Sequence, residues 1–225
     1  LSDTFLAQEP IDQFISAIWT ERYKKFGEVQ LVVPLTPRNL DLLAEGTYLG
    51  LRGSKVVMAL ETQKIENNRL TVVGYDLTQF LEHRFVWAAN PESSDADKRV
   101  VDLTSTTRKP GEFISYLVDR FAINPVAVTG GWSDANLDWA KESIEHLTLG
   151  DIDTSGTVQR ITAPTGPLYT AIERLAEQYN VGISLYLDSA DPDTGYSLKF
   201  KTYKGKDRTS DQSTYPLVRL VPELD

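Results

Sequence analysis

The sequence contains no cysteine, one methionine and only two histidines. Without cysteine there is no disulfide, no thiolate metal site and no thiol nucleophile, so the fold must rest on its core alone. His83 and His146 lie far apart in sequence and neither sits in an HExxH arrangement, so each reads as a partly buried or surface residue rather than a metal ligand. A nucleophile elbow, a P-loop and a GxGxxG turn are all missing. No apolar run approaches the ~20 residues a membrane helix needs, and Leu1-Ser2-Asp3 has neither part of a signal peptide. No membrane span and no secretion signal are therefore expected. Positive charge is scarce too: 23 Lys and Arg against 32 Asp and Glu leave a formal charge of -9. Nucleic-acid affinity comes mainly from cations neutralising phosphates, so a specific nucleic-acid site is not expected. Such a surface suits one that nucleic acid slides past.

What is present is an ordinary globular composition. Hydrophobic residues at 41% and charged residues at 24% of 225 positions predict a folded chain that buries roughly 70% of its unfolded surface. The patterning predicts an α+β, mainly β fold. In the amphipathic stretch IDQFISAIW, Ile11, Phe14 and Ile18 are expected to face inward. From Ala17 to Tyr23 the period is two but both faces carry apolar groups, as in a strand covered on both sides or buried in a subunit contact. Gly27 permits a turn, and Val29, Leu31 and Val33 give one face of a second strand that Pro34 ends.

Thr36-Pro37 then starts a short helix, with Thr as cap and Pro where the missing donor costs nothing. Leu40 and Leu43 form its stripe and Gly46 its stop. Gly53-Ser54 and Asn67-Asn68 each read as a two-residue hairpin loop, the first of type II′ and the second of type I′. Asp76 caps a helix through Leu77, Phe80 and Leu81, with Gln79 at the reciprocal position, and Phe85-Val86-Trp87 returns as a strand. Residues 88–110, with the acidic SSDADK, read as a surface loop or linker. A helix is expected over Gly111–Phe121, stopped by Asn124-Pro125, and GGWSDANLDW reads as loop. Thr165 as cap and Pro167 as opener predict a helix with Leu168, Ile172, Leu175, Ala176 and Tyr179 on one face, ending at Gly182. Ile183, Leu185 and Leu187 alternate as a strand, paired across DSADPDTG with Leu198, Phe200 and Thr202.

No group of residues demands catalysis. Asp188, Asp191 and Asp193 with Gly195 lack the regular alternation and the closing Glu of a calcium loop, and read as a solvated hairpin tip. Lys204, Lys206 and Arg208 around Gly205 read first as a turn and only second as an anion site. Trp19, Trp87, Trp132 and Trp139 offer rings for sugar stacking, but Trp19 and Trp87 fall in predicted strands and suit core or interface anchoring. No catalytic, cofactor-binding or metal-binding residue is assigned, and no enzyme activity or cofactor is expected.

Several spaced segments, SAIWTERY, LVVPLTPRNLDLLAEG, GSKVVMALET, LTVVGYDLTQFLEHRFVW, LYTAIERLAEQYNVGISLYLD and TYKGKDRTS, resemble the tail-hub (minor tail, baseplate-hub) proteins of long-tailed bacteriophages. The match is weak from about residue 88 to residue 162. The resemblance implies a tube-type β-barrel or sandwich domain over residues 1–88, a linker over 89–110, small inserted α/β hub domains over 111–215, and the start of a second tube-type domain at 216–225. It also implies a homotrimeric, pseudo-sixfold ring in the virion tail tip, assembled in the host cytoplasm. Distal tail or tube proteins and tip or receptor-binding proteins would be its partners, with DNA passing through the lumen without specific binding. Family members continue beyond the point where this chain stops at LVRLVPELD, so the sequence is expected to be a fragment, a processed chain or the ordered part of a longer product. The alternatives from other classes are a tail-associated cell-wall or polysaccharide hydrolase and a receptor- or carbohydrate-binding tail module.

Overall fold

The computed structural model describes residues 9–89, 100–125, 143–191 and 195–205. The chain is mainly β, with three short α-helices among the described residues. Strand β1 (Ser16–Thr20) pairs antiparallel with β2 (Glu28–Pro34). Along β2 the strand period sends Val29, Leu31 and Val33 into the core, all essentially solvent-free. Helix α1 (Pro37–Leu42) starts as its sequence dictates: Thr36 Oγ1 accepts from Asn39 N–H at 3.1 Å. Leu43, fully buried, drops from the end of α1 under the sheet.

Strand β3 (Tyr48–Gly50) pairs with β4 (Val57–Glu66) through Gly50 opposite Val57. The expected two-residue loop at Gly53-Ser54 is thus corrected to six residues. Its turn runs from Leu51 to Ser54, closed by Ser54 N–H to Leu51 C=O at 3.0 Å. Gly53 occupies the third position at φ +92°, which is the type II requirement rather than II′. Ser54 is spent otherwise, its hydroxyl oxygen accepting from Val56 N–H at 3.0 Å. The other hairpin is as its sequence requires: Glu66 faces Arg69 at the start of β5 (Arg69–Asp76), with Asn67 and Asn68 at φ 49° and 58°. Two consecutive left-handed residues make the I′ turn.

These strands form one antiparallel sheet in the order β1-β2-β5-β4-β3. Strand β4 shows why no simple alternation marks it: Val57, Met58, Ala59 and Leu60 are all buried. Met58 and Leu60 join Val29, Leu31, Val33, Leu43, Leu70 and Val72 on one face. Val57 and Ala59 turn to the other face and a larger core. The sheet is therefore covered on both faces at β4 but not along its length.

Asp76 caps a 3-10 helix, Leu77–His83, by accepting from Thr78 N–H at 2.8 Å. Short strands follow: β6 (Phe85–Val86), β7 (Ala88–Ala89), β8 (Val100–Val101) and β9 (Leu103–Ser105). Pairing of β7 with β8 makes the two ends of the expected linker a hairpin rather than free loop, while SSDADK lies outside the described residues. Helix α2 (Pro110–Val118) buries Phe113, Ile114, Leu117 and Val118 and runs into a π turn over Asp119–Ile123. The stretch GGWSDANLDW lies outside the described residues.

Strands β10 (Leu147–Leu149), β11 (Ile161–Ala163) and β12 (Gly166–Pro167) lead to α3 (Leu168–Tyr179). Thr165 is not the cap of α3. Gly166 and Pro167 pair with β6, and Leu168 N–H is taken by Arg84 C=O at 2.7 Å. The predicted stripe is correct: Leu168, Ile172, Leu175 and Ala176 are buried and Tyr179 packs beside them. Asn180, left-handed at φ 55°, ends the helix two residues before the expected Gly182. Strand β13 (Gly182–Asp191) pairs antiparallel with β14 (Gly195–Tyr203), and β10 adds in parallel to the far side of β14. Ile183, Leu185, Leu198 and Phe200 face α2 and α3 in the larger core, each contributing roughly 1.5–3 kcal/mol by burial.

The free edge of β13 is closed by the first sheet's loops. Ile183 N–H donates to Tyr23 C=O at 2.9 Å, Leu187 N–H to Lys55 C=O at 2.9 Å, and Leu185 N–H to Thr78 Oγ1 at 3.3 Å. Alternate donors along one strand are thus satisfied by three separate segments, which leaves little for an added strand to pair with.

Candidate functional site

Strand β1 is handled in the opposite way. It has β2 on one side, and among the described residues no strand pairs with its other side. Its register places Trp19 opposite Val29 and Ala17 opposite Leu31, on the face of the smaller core. Ile18 must then point away, since neighbours on a strand alternate. It is 54% exposed, Phe14 just before the strand is 55% exposed, and Ile15 is exposed as well. The expectation that Phe14 and Ile18 turn inward is corrected, and of that trio only Ile11 packs on the smaller core. A helical spacing does not apply because the backbone is extended from Ser16 onward.

Across the outward face, Ile18 stands opposite Gln30, Gln30 opposite Val73, and Val73 opposite Thr62. The next row is Ser16, Val32, Thr71 and Lys64. The face is mixed, with Ile18, Val32 and Val73 as the apolar members of these two rows. Edge strands usually carry charge or proline to discourage pairing; this one carries neither, and its Ile18 is exposed. Chemically it can do one thing well, which is to take a further strand or an apolar side-chain row.

The other residues singled out by sequence have structural roles or none that forms a site. His83 is exposed in the last turn of the 3-10 helix, and His146, left-handed at φ 58°, rests its ring 4.7 Å from that of Tyr196. Among the described residues, no group of His, Asp or Glu could hold a metal ion. Asp188 is held below the usual carboxylate range by hydrogen bonds from Lys199, at 2.7 Å, and Lys55, at 3.3 Å. It is an ion-pair hub, not one arm of a cation loop. Asp191 ends β13, and Asp193 lies outside the described residues. Lys204 is exposed, while Lys206 and Arg208 lie outside the described residues. Trp19 packs on the smaller core and donates from Nε1 to Glu21 at 3.1 Å. Trp87 follows β6, and Trp132 and Trp139 lie outside the described residues.

Among the described carboxyl groups, burial pushes Asp76 above its ordinary value, against the opposing pull of hydrogen bonds from Gly27 N–H and from Thr78. Those bonds are structural: they tie the β1–β2 turn to the end of β5. Burial likewise raises Tyr169, whose hydroxyl oxygen accepts from Phe26 N–H at 3.1 Å. The feature that sequence reasoning missed is the orientation of β1, and its only signal was the two-faced apolar pattern from Ala17 to Tyr23.

Comparison with known proteins adds the following. No curated protein matches the chain. The prophage tail protein gp18 from Listeria monocytogenes EGD-e is similar at 11% identity and a TM-score of 0.45, over 86% of this chain and 46% of that one. The E. coli c3393 protein is similar at 7% identity and a TM-score of 0.39, over 83% of this chain and 47% of that one. It is described as a component of the type VI secretion system with structural similarity to the T4 bacteriophage tail proteins gp27 and gp5. The chain thus spans about half the length of each of these structures. The Siphovirus ReqiPepy6 Gp37-like protein family matches residues 2–225, and with a match of that extent the chain belongs to that family.

Proposed function

We propose that this protein is a structural subunit of a phage tail tip, working by assembly rather than catalysis. The observation that carries the reading is the β1 edge, which among the described residues has no strand on its outer side and has Phe14, Ile15 and Ile18 exposed, in a chain whose family is a siphovirus one. Residues 1–88 act as a tube-type domain, and residues 111–215 as an inserted part that packs on it through Val57 and Ala59. Three copies make a ring joining the tail tube to the tip. Strand addition at β1 supplies a directional, head-to-tail contact of the kind that closes into rings. The formal charge of -9 suits a lumen through which DNA moves without sticking.

The test is cryo-electron microscopy of the particle that carries this chain, with crosslinking from cysteine placed at residue 18. A threefold ring with Ile18→Cys crosslinked to a neighbouring copy supports the proposal. A particle lacking the chain, or a ring in which β1 faces solvent, removes it.

A further inference from the structure

A cleft of about 410 Å³ lies between the loop that joins β3 to β4 and the outward faces of β13 and β14. Its size falls in the range of small-molecule sites, ~300–1,000 Å³. The floor is the side of the second sheet that points away from the core: Ser184 and Tyr186 on β13, Lys201 and Tyr203 on β14, with Lys201 directly opposite Ser184 in register. The wall is Glu21 and Ser54. Loop and floor are fixed to each other by Leu187 N–H to Lys55 C=O and by the Lys55–Asp188 ion pair. The cleft is therefore a built one.

Its charges are divided. Lys55 and Lys199 are committed to Asp188. Lys201 is not: among the described residues no carboxylate pairs with it, and its Nζ stands 4.8 Å from the Tyr186 ring centre and 5.3 Å from that of Tyr203. Two rings thus hold a cation in place while leaving its strong hydrogen-bonding capacity for another partner. On the wall, Glu21 Oε1 accepts from Ser54 Oγ at 2.6 Å and from Trp19 Nε1 at 3.1 Å. Its second oxygen takes no hydrogen bond among the described residues. Among the described residues, the cleft offers one cation without a carboxylate partner, one acceptor-only carboxylate oxygen, the Ser184 hydroxyl and two aromatic rings.

A ligand that uses all of these has an anionic group, hydroxyl donors and an apolar ring face. A bare phosphate chain meets the Glu21 carboxylate and an acidic protein, and an acidic peptide side chain brings no hydroxyls. We propose that the cleft binds an acidic saccharide, one uronic-acid unit with its carboxylate on Lys201, hydroxyls on Glu21 and Ser184, and its C–H face against the tyrosine rings. The inference does not depend on ring assembly and adds a recognition site to a structural subunit.

The experiment is an NMR titration of the isotope-labelled 225-residue chain with sodium glucuronate, and in parallel with sodium acetate and with glucose. Glucuronate is expected to shift the amides of residues 182–187 and 199–203 with a Kd of about 1 mM, weakening as salt is added. Lys201→Gln should weaken binding at least tenfold and Lys201→Arg should restore most of it. Tyr186→Ala should weaken it without changing its salt dependence. If acetate binds as tightly, the cleft is a plain anion site and the proposal fails. It fails equally if glucose matches glucuronate, if Lys201→Gln has no effect while its thermal unfolding is unchanged, or if these amides do not move.

Discussion

The ring of Tyr23 fills the space that any side chain at residue 182 would need: a Cβ built on Gly182 collides with two carbons of that ring. The tyrosine is then held on every side. Its hydroxyl donates toward Asn180 C=O at 3.1 Å and Tyr203 C=O at 3.3 Å and accepts from Gly205 N–H at 2.7 Å. Its own carbonyl accepts from Ile183. A loop residue between β1 and β2 thus plugs the start of β13 and the end of β14, joining the first sheet to the second.

From that relationship, Gly182→Ala is expected to destabilise the protein by about 1–3 kcal/mol, the usual cost of forcing volume into a packed site. Urea unfolding measures it. Adding Tyr23→Ala should make the two effects non-additive, because it removes the nearer obstacle and leaves only a Tyr203 ring carbon, 2.8 Å from that Cβ. Additive losses would mean that the two residues do not share one space.

The Asn67-Asn68 turn gives a second expectation. Both residues are left-handed, which costs a β-branched side chain roughly 1–2 kcal/mol more than asparagine or glycine pays. Asn67→Val should lower stability by about that amount, and Asn68→Gly should be neutral or stabilising. Amide exchange along β4 and β5 should quicken in the first variant and not in the second.

Asp76 makes stability depend on pH in a defined direction. Burial raises its folded pKa above the ordinary 3.8, so the folded state binds the proton more tightly than the unfolded state does. Its contribution is fully present below about pH 3.8 and is lost as pH rises through the higher folded value. Asp76→Asn does not titrate. The stability of the wild type relative to this variant should therefore be greatest in acid and shrink on the way to neutrality. A carboxyl carbon titration of Asp76 with its midpoint at or below 3.8 would contradict this.

The β1 edge separates folding from assembly. Ile18 is exposed and on the face away from the smaller core, so Ile18→Lys should change stability by no more than about 0.5 kcal/mol. The same change places a charge where the proposed neighbouring strand must pack. Light scattering should show loss of the proposed trimer, with the thermal unfolding midpoint of the chain unchanged. A robust trimer carrying Ile18→Lys would show that the ring contact lies elsewhere.

The features the sequence itself determined are those whose cause lies within a few residues. Thr36 before Pro37, Asn67-Asn68, Asp76 before Leu77, and the stripe from Leu168 to Ala176 each contain both the donor and the acceptor, or both the turn and its side chains. The misjudged features have their cause far away in the chain. Whether Ile18 faces core or solvent depends on where β5 and the smaller core lie, not on its own neighbours in sequence. Thr165 lost the cap of α3 because Gly166 and Pro167 pair with Phe85 and Val86, which stand some eighty positions earlier. Gly53 serves a different turn than expected because Ser54 is engaged by Glu21 and the loop is drawn onto β13 by Lys55. Tyr23 and Gly182 carry no mark in sequence of belonging together. Local propensity is decided by bonds within one turn of chain, whereas the pairing of distant strands, and with it which surface is left open for a partner, is decided only when the two sheets close on a shared core.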